Sequence, residues 1–557
     1  MVTLTIAITV FIIILNCVGW KILNWLWLTP MKKEMILRQQ GFQGNSYDFR
    51  RLLFGDAEEN AKVYEEALSR SINVRDETQA AHRILPFVHK TIEKYGDKSF
   101  FWAGLRPKVL IMDPELMKTV LVKHTSFIRN YKATNHILQK LITGLPRTEG
   151  EEWYKRRVIM NPAFHMENLK EMIPVFQKVS DDVLNQWKKL VSEDGSCTVD
   201  VYPYFEYATS KVISETLFAS DYSKDKRLYD LIKEMVSMAR LTTRIADLPG
   251  SKYFPTKTNQ KSRKIMNEQR QMLGTLICER EKAIREGKVL QDNLLDLILK
   301  SELKRDYGEE EIPGQVKLFF FAGYETTRNL LVWTLVLLST YQDWQERARQ
   351  EAFQVFENRK ADYQGLSQLK VVNGEEVMLT VVSDVESRPD EKWSLDSACS
   401  HHMCSDRNLF KTYEALSMIV NEVLRLYPPV VELSRLVEEE TQLGEYTIPA
   451  DTQVMLPVVM IHRDPKYWGE DANEFNPNRF AEGVSKATKG HLIYYPFGWG
   501  PRNCIGQNYA LLEAKLALVD ILRNFSFDIS PTYRHAPVVI FTLEPQYGAP
   551  LILRNLK

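Results

Sequence analysis

One cysteine sits in a setting built for more than packing. In "FGWGPRNCIGQNYA", residues 497–510, Cys504 is flanked by Gly498, Gly500 and Gly506, and Arg502 lies two positions before it. Glycines let a backbone approach a bound group closely and aim its amides at the sulfur. A fixed guanidinium beside the sulfur suits an anionic partner. A thiolate among such donors is a metal ligand or a nucleophile. A nucleophile needs a base nearby, and no histidine lies between His491 and His535. A cysteine that merely filled a core would leave the glycines unexplained.

Three other groupings invite chemistry. Glu325 and Arg328 interrupt a long apolar run at 318–338, and Thr326 sits beside Glu325 mid-way along it. A charge there is costly unless it is paired or functional, while the hydroxyl could equally bond its own helix backbone. Trp153 and Arg157 are four apart in "EEWYKRR", so on a helix they share one face. Glu422 and Arg425 are three apart in "EVLR" and share a face in the same way.

The elements that must position these residues are mostly helical. Charged and apolar residues mix at 3.6-type spacing through most of 55–350, as in "PELMKTVLVKH" and "NEQRQMLGTLICEREKAIREGK", which predicts helices. Proline-containing breaks fall near 145, 174, 249–255 and 313. Strand-like stretches are few, at 108–113, 445–460 and 537–543. The run 318–338 is expected as a central helix buried on most faces rather than as a membrane span. No repeat and no second-domain linker is visible.

Composition narrows the class. The 557 residues hold 72 Lys+Arg against 72 Asp+Glu, and a nucleic-acid binder would usually carry a basic excess. Six dispersed cysteines form no disulfide framework, which favours a reducing compartment. Residues 1–20 carry no charged side chain, and twenty helical residues span about 30 Å, the thickness of a hydrocarbon core. Trp20, Trp25 and Trp27 suit an interfacial belt, followed by Lys21, Lys32 and Lys33. A cleaved signal peptide would want a basic start and a shorter apolar run. The expectation is an N-terminal transmembrane anchor over 1–20, with 21–557 on the cytosolic side of the endoplasmic reticulum membrane.

Taken together, the motifs resemble the cytochrome P-450 monooxygenases. Phe497, Gly500, Arg502, Cys504 and Gly506 match that family's haem-binding loop. "AGYETT" (322–327) resembles its oxygen-activating motif, "EVLR" (422–425) its Glu-x-x-Arg motif, and "FNPNRF" (475–480) the segment that completes the ion-pair cluster. "GFQGNSYDFRRLLFGD" (41–56) and "HRDPKYWGEDANEFNPNRF" (462–480) look like the plant clan-72 branch.

The resemblance implies a mainly α fold with small β-sheets, and haem b held between the long central helix and the cysteine loop. Cys504 would be the thiolate ligand of the iron, pushing electron density that favours O–O cleavage. Arg502, Trp153, Arg157 and Arg435 would reach the haem propionates, and Phe497 would belong to the same cofactor site. Thr326 would orient water and Glu325 relay protons to iron-bound dioxygen. Glu422, Arg425 and Arg479 would form a buried structural cluster. Asn478 departs from the pattern, where an acidic residue is usual. Lys155 and Arg156 would point partly outward from the Trp153 helix and offer positive charge to a reductase. Substrate-pocket walls would come from 134–145, 210–217, 240–248, 319–326 and the turn after Pro429.

One segment does not fit. The family pattern runs from Val372 straight on to Met418, so residues 373–417 read as an insert. "WSLDSACSHHMCSDRNLFKTYEAL" (393–416) resembles the protease region of copia-type retrotransposon polyproteins. Ala398 stands where a protease motif would have glycine, and "CSHHMC" (399–404) fits no common zinc-finger spacing. The segment is expected to be a solvated loop within the enzyme domain 21–557.

The function that follows is a membrane-anchored monooxygenase. It would take electrons from NADPH through a cytochrome reductase and insert one atom of O2 into a lipophilic small molecule, such as a terpenoid, a hormone or a related metabolite. Two competing readings remain at this stage. One is a haem-deficient product damaged by its insert; the other is a haem sensor or carrier, against which the proton-delivery pair Glu325 and Thr326 argues.

Overall fold

The computed structural model describes residues 2–556 except 76, 130–135, 193–194, 242–250, 290–291, 302–310, 358 and 370–414. A continuous apolar helical run opens the chain at Leu4–Gln39, long and apolar enough to cross a membrane, with none of its most apolar stretch buried against the protein. The helix Val2–Leu23 continues beyond the twenty residues expected. Where it meets the body, Trp27 packs on Tyr47 at 5.9 Å and Tyr47 on Trp102 at 4.7 Å. Aromatic rings with one polar edge suit that boundary.

The body is mainly helical. Its centre is the helix Glu311–Thr340, in which nearly every residue from Phe319 to Ser339 is buried. Thirty residues reach about 45 Å, and burial on all sides explains why an almost unbroken apolar run forms a soluble core helix. Around it pack Tyr202–Leu217, Lys257–Arg285, Ala415–Leu426 and Gln507–Asn524, with Met166–Leu190 laid against Tyr202–Leu217 and Gln507–Asn524. The expected break near Pro174 does not occur: Met166–Leu190 runs through it. Proline inside a helix costs about 3 kcal/mol. The buried stripe from Leu169 to Trp187 offsets that cost.

The largest sheet has six strands, in the order Gln43–Gly44, Ser99–Ala103, Arg106–Leu110, Thr452–Leu456, Leu433–Val437, Phe127–Arg129. The stretch 445–460 divides into Tyr446–Ile448 and Thr452–Leu456, then turns helical at Val458–Ile461. Asp451, at φ 55°, makes the bend between the two strands. The stretch near 537–543 becomes a hairpin of Pro537–Val539 with Leu543–Pro545.

Most of the insert lies outside the described residues. Its expected C-terminal boundary is corrected, because Ala415, Leu416 and Ser417 form the buried first turn of the helix Ala415–Leu426. The Leu416 amide donates to Glu351 at 2.8 Å, and the Ser417 hydroxyl donates to the Leu369 carbonyl at 2.9 Å. Lys515 donates to that carbonyl and to Ser417 Oγ. The chain therefore leaves at Leu369 and re-enters at Ala415 from neighbouring points, and a loop whose ends are close costs little entropy to close.

Candidate active site

The cysteine loop is built by its backbone. Gly498 and Gly500 take φ of 74° and 71°, the left-handed region that side chains disfavour. A Cβ on Gly500 would also stand 3.1 Å from the Leu121 carbonyl. These turns bring the Cys504 amide back onto the Phe497 carbonyl at 2.8 Å. Gly506 has an ordinary φ of −92° and caps the helix Gln507–Asn524. Its amide bonds the Cys504 sulfur, so this glycine serves through its N–H. Burial pushes the Cys504 thiol up, opposed by that amide and by the Arg157 and Arg129 guanidiniums. The sulfur nonetheless presents an accessible face.

Trp153 and Arg157 do share a face, and it meets this loop. Arg157 donates to the Asn503 carbonyl at 2.9 Å and to Asn503 Oδ1 at 3.1 Å. The Arg502 guanidinium lies over the Trp153 ring at 4.3 Å, in cation–π contact. Arg502 also donates to the Thr148 carbonyl at 2.9 Å and pairs with Glu149.

Arg129 and Arg435 face each other across paired strands, and Arg129 donates to the Arg502 carbonyl at 3.2 Å. Burial, together with the charges of Arg129 and Arg502, lowers Arg435 to about 9. Among the described residues, Arg129, Arg157 and Arg435 bond no carboxylate, and Arg129 Nε is buried without a partner. Sequence reasoning found three of these four arginines. It missed Arg129, which lies in a short strand with no motif around it.

The expectation for Arg156 is corrected. Its side chain is buried and pairs with Glu152 and, at 2.6 Å, with Glu311. Three residues from Trp153, it shares much of that residue's inward face. Lys155 is exposed as expected.

The central helix exposes Ala322 and half-exposes Thr326 in mid-span, amid buried neighbours. Phe164 links the two sides: it stacks on Phe319 at 5.8 Å, contacts Tyr509 at 6.3 Å and touches the Gly506 position. The Thr326 hydroxyl donates to the Ala322 carbonyl at 2.9 Å. Glu325 is buried and held elsewhere, by Arg328 at 2.8 Å and the Thr542 hydroxyl at 2.8 Å. Arg328 also reaches Glu544 at 3.0 Å and Glu206 at 3.4 Å. Of this ion cluster, Glu325 and Arg328 stood out in the sequence. Thr542 and Glu544 lie more than two hundred residues away on the C-terminal hairpin.

The profile described as Cytochrome P450 matches residues 76–374 and 396–545. The chain belongs to the cytochrome P450 family. Similar proteins include Cytochrome P450 72A397 of Kalopanax septemlobus, 42% identical over 97% of this chain and 95% of that one. Secologanin synthase 2 of Catharanthus roseus is 41% identical over 99% and 97%. 7-Deoxyloganic acid hydroxylase of the same plant is 42% identical over 96% and 96%. This P450 is thus a monooxygenase acting on a lipophilic small molecule, and the family implies haem iron with a cysteine thiolate ligand. The residues fit such a group. An accessible sulfur with an amide bonded to it suits a thiolate ligand, and buried and half-buried guanidiniums that bond no carboxylate among the described residues suit two propionates.

Glu422 and Arg425 are both fully buried and bidentate, at 2.7 and 2.8 Å. Arg425 also takes the carbonyls of His462 and Ala472 at 2.7 and 2.6 Å and of Glu474 at 3.1 Å. Arg479 stands 3.5 Å from Glu422 and 2.6 Å from Asp471. The acid absent at Asn478 is thus supplied by Asp471, seven positions earlier.

Proposed function

We propose that this P450 is an endoplasmic reticulum enzyme, anchored by its N-terminal helix with the catalytic body in the cytosol, that oxidises a terpenoid or related metabolite with electrons from NADPH through a reductase. The substrate class is supported by the secologanin synthase and 7-deoxyloganic acid hydroxylase relatives. The observation that carries the reading is the Cys504 loop, set among buried and half-buried arginines and joined through Phe164 to the central helix that carries the exposed Ala322–Thr326 step.

Cys504 would ligate haem iron, Arg435, Arg502 and Arg129 would face its propionates, and Arg157 with Trp153 would brace the loop through Asn503 and Arg502. Haem supplies dioxygen binding and cleavage, promoted by thiolate electron donation. The Gly506 amide stabilises negative charge on the sulfur. Thr326, the polar group on the exposed step of the central helix, would hold a water there for proton delivery. Glu325, paired with Arg328 and aligned by Thr542, would relay protons to it. Lys155 would contribute to reductase docking. The reading is tested by the thiolate-type carbon monoxide difference spectrum and by screening terpenoids with reductase and NADPH. A preparation lacking both the spectrum and turnover sinks it.

Thr326→Ala is expected to leave haem bound while NADPH consumption outruns product several-fold and peroxide rises. Unchanged coupling with a good substrate would remove Thr326 from proton delivery.

The segment beginning at 373 is further proposed to be of foreign, transposon-like origin and dispensable. The family profile leaves 375–395 unmatched and resumes at 396, and Leu369 and Ser417 are hydrogen-bonded across the segment; both support dispensability of its middle part. Deleting 373–414, so that the buried turn at Ala415–Ser417 survives, should keep substrate choice and raise haem-loaded yield and melting temperature. Lower values for both would show the segment to be an integral part of the fold.

A further inference from the structure

The ion cluster on the central helix holds more acid than base. Arg328 Nη2 donates to Glu325 Oε1 at 2.8 Å and to Glu544 Oε2 at 3.0 Å, so two carboxylates compete for one nitrogen. Arg328 and Glu325 are buried, and the Glu544 side chain is 14% exposed. Tyr202 closes the cluster: the guanidinium lies over its ring at 4.4 Å, and its hydroxyl donates to the same Glu544 Oε2 at 2.7 Å. Glu206 reaches Arg328 Nη1 at 3.4 Å, but it has its own cation, Lys233, at 2.6 Å. Tyr324 also faces the guanidinium, at 5.7 Å. The titratable groups around the two acids thus come from Tyr202–Leu217, from Tyr222–Leu241 and from the central helix.

With both acids ionised, Arg328, Glu325 and Glu544 together carry one negative charge in excess. Excess charge away from water is unfavourable, and a group that can neutralise takes up a proton instead. Burial pushes the Glu544 carboxyl up, opposed by Arg328 and reinforced by the charge of Glu325. The second acid also removes a conflict. A carboxylate paired alone with a guanidinium is held ionised and is a poor proton donor. Two acids on one guanidinium titrate as a unit, so either can carry the proton. Thr542 aims the inner one: Asn329 Nδ2 donates to its oxygen at 2.7 Å, which directs the hydroxyl proton onto Glu325 Oε1 at 2.8 Å.

We propose that Glu325 and Glu544 share one proton across Arg328, and that Glu544, on the C-terminal hairpin, is thereby a positioning residue for proton delivery. The role in delivery rests on the relay reading of Glu325 above; the shared proton does not. In each delivery the pair passes one proton to the water beside Thr326, becomes doubly ionised, and recovers one proton from solvent past Glu206.

The shared proton is read on the full-length holoenzyme at rest, by pH-difference infrared spectroscopy. The parent should show one protonated-carboxyl component, shifted in D2O, that is lost as pH rises. Glu544→Gln and Glu325→Gln should each remove it, because the single acid left on Arg328 is an ordinary ion pair. Glu544→Asp should restore it. Survival of the component in Glu325→Gln would show Glu544 protonated by burial alone and overturns sharing, as does a Glu544→Gln spectrum identical to the parent's. The role in delivery is read as product formed per NADPH across pH, with the best substrate from the terpenoid screen. Glu544→Gln should move the alkaline fall in coupling toward acid by at least about tenfold in proton concentration, since an unshared guanidinium favours the ionised form of Glu325. Thr542→Val removes a donor to that ionised form and should move the fall the other way. A merely structural loss lowers yield or melting temperature and leaves the profile in place. Unmoved profiles in both variants, where Glu325→Gln is uncoupled, overturn this inference alone. Parental coupling in Glu325→Gln overturns the relay reading, and with it the role of Glu544 in delivery.

Discussion

Cys504→Ser is expected to abolish the thiolate-type carbon monoxide spectrum and all NADPH-dependent oxygenation while leaving the fold intact. The loop is held by groups the substitution does not touch. The residue-504 amide still meets the Phe497 carbonyl, Gly498 and Gly500 keep their left-handed turns, and Arg157 still grips Asn503. What changes is the donor: a neutral hydroxyl cannot push charge onto iron as a thiolate does. Circular dichroism and the melting temperature should therefore stay near the parent's, whereas the spectrum and turnover vanish. A variant that keeps the thiolate spectrum and turns over substrate would remove Cys504 from the iron. A variant that unfolds would instead show that the thiol holds the loop.

Arg425→Leu is expected to prevent recovery of haem-loaded protein. The substitution strands the Glu422 carboxylate in a fully buried position and leaves three carbonyls, those of His462, Ala472 and Glu474, without their donor. Removing one partner of a buried pair costs about 3–5 kcal/mol, comparable with much of a domain's net stability of about 5–15 kcal/mol. Glu422→Gln should be milder, because an amide oxygen can still accept from Arg425 and from the Asn476 amide, which donates to Glu422 at 2.8 Å. The measurements are haem content per protein and the thermal midpoint. Arg425→Leu with parental haem loading would show that the pair is dispensable and that the 462–474 segment is held by other contacts.

The Cys504 loop, the Trp153/Arg157 and Glu422/Arg425 spacings, the buried central helix and the N-terminal apolar helix were legible in the sequence. Each is a local pattern: helical spacing puts residues three or four apart on one face whatever the rest of the chain does, and a long run without charge selects burial or a membrane. The tertiary structure decided what no local pattern encodes. Arg156, three residues from Trp153, could have faced solvent, yet it turns inward because Glu311 at the start of the central helix meets it there. Glu325 and Arg328 read as two charges in an apolar run until the distant Thr542 and Glu544 close around them. Arg129 joins the guanidinium cluster only because its strand pairs with the one carrying Arg435. Ala415–Ser417 belong to the core because Glu351, Leu369 and Lys515 receive them. Spacing fixes which side chains share a face. The partner that makes a buried charge affordable is chosen by packing between segments far apart in the chain.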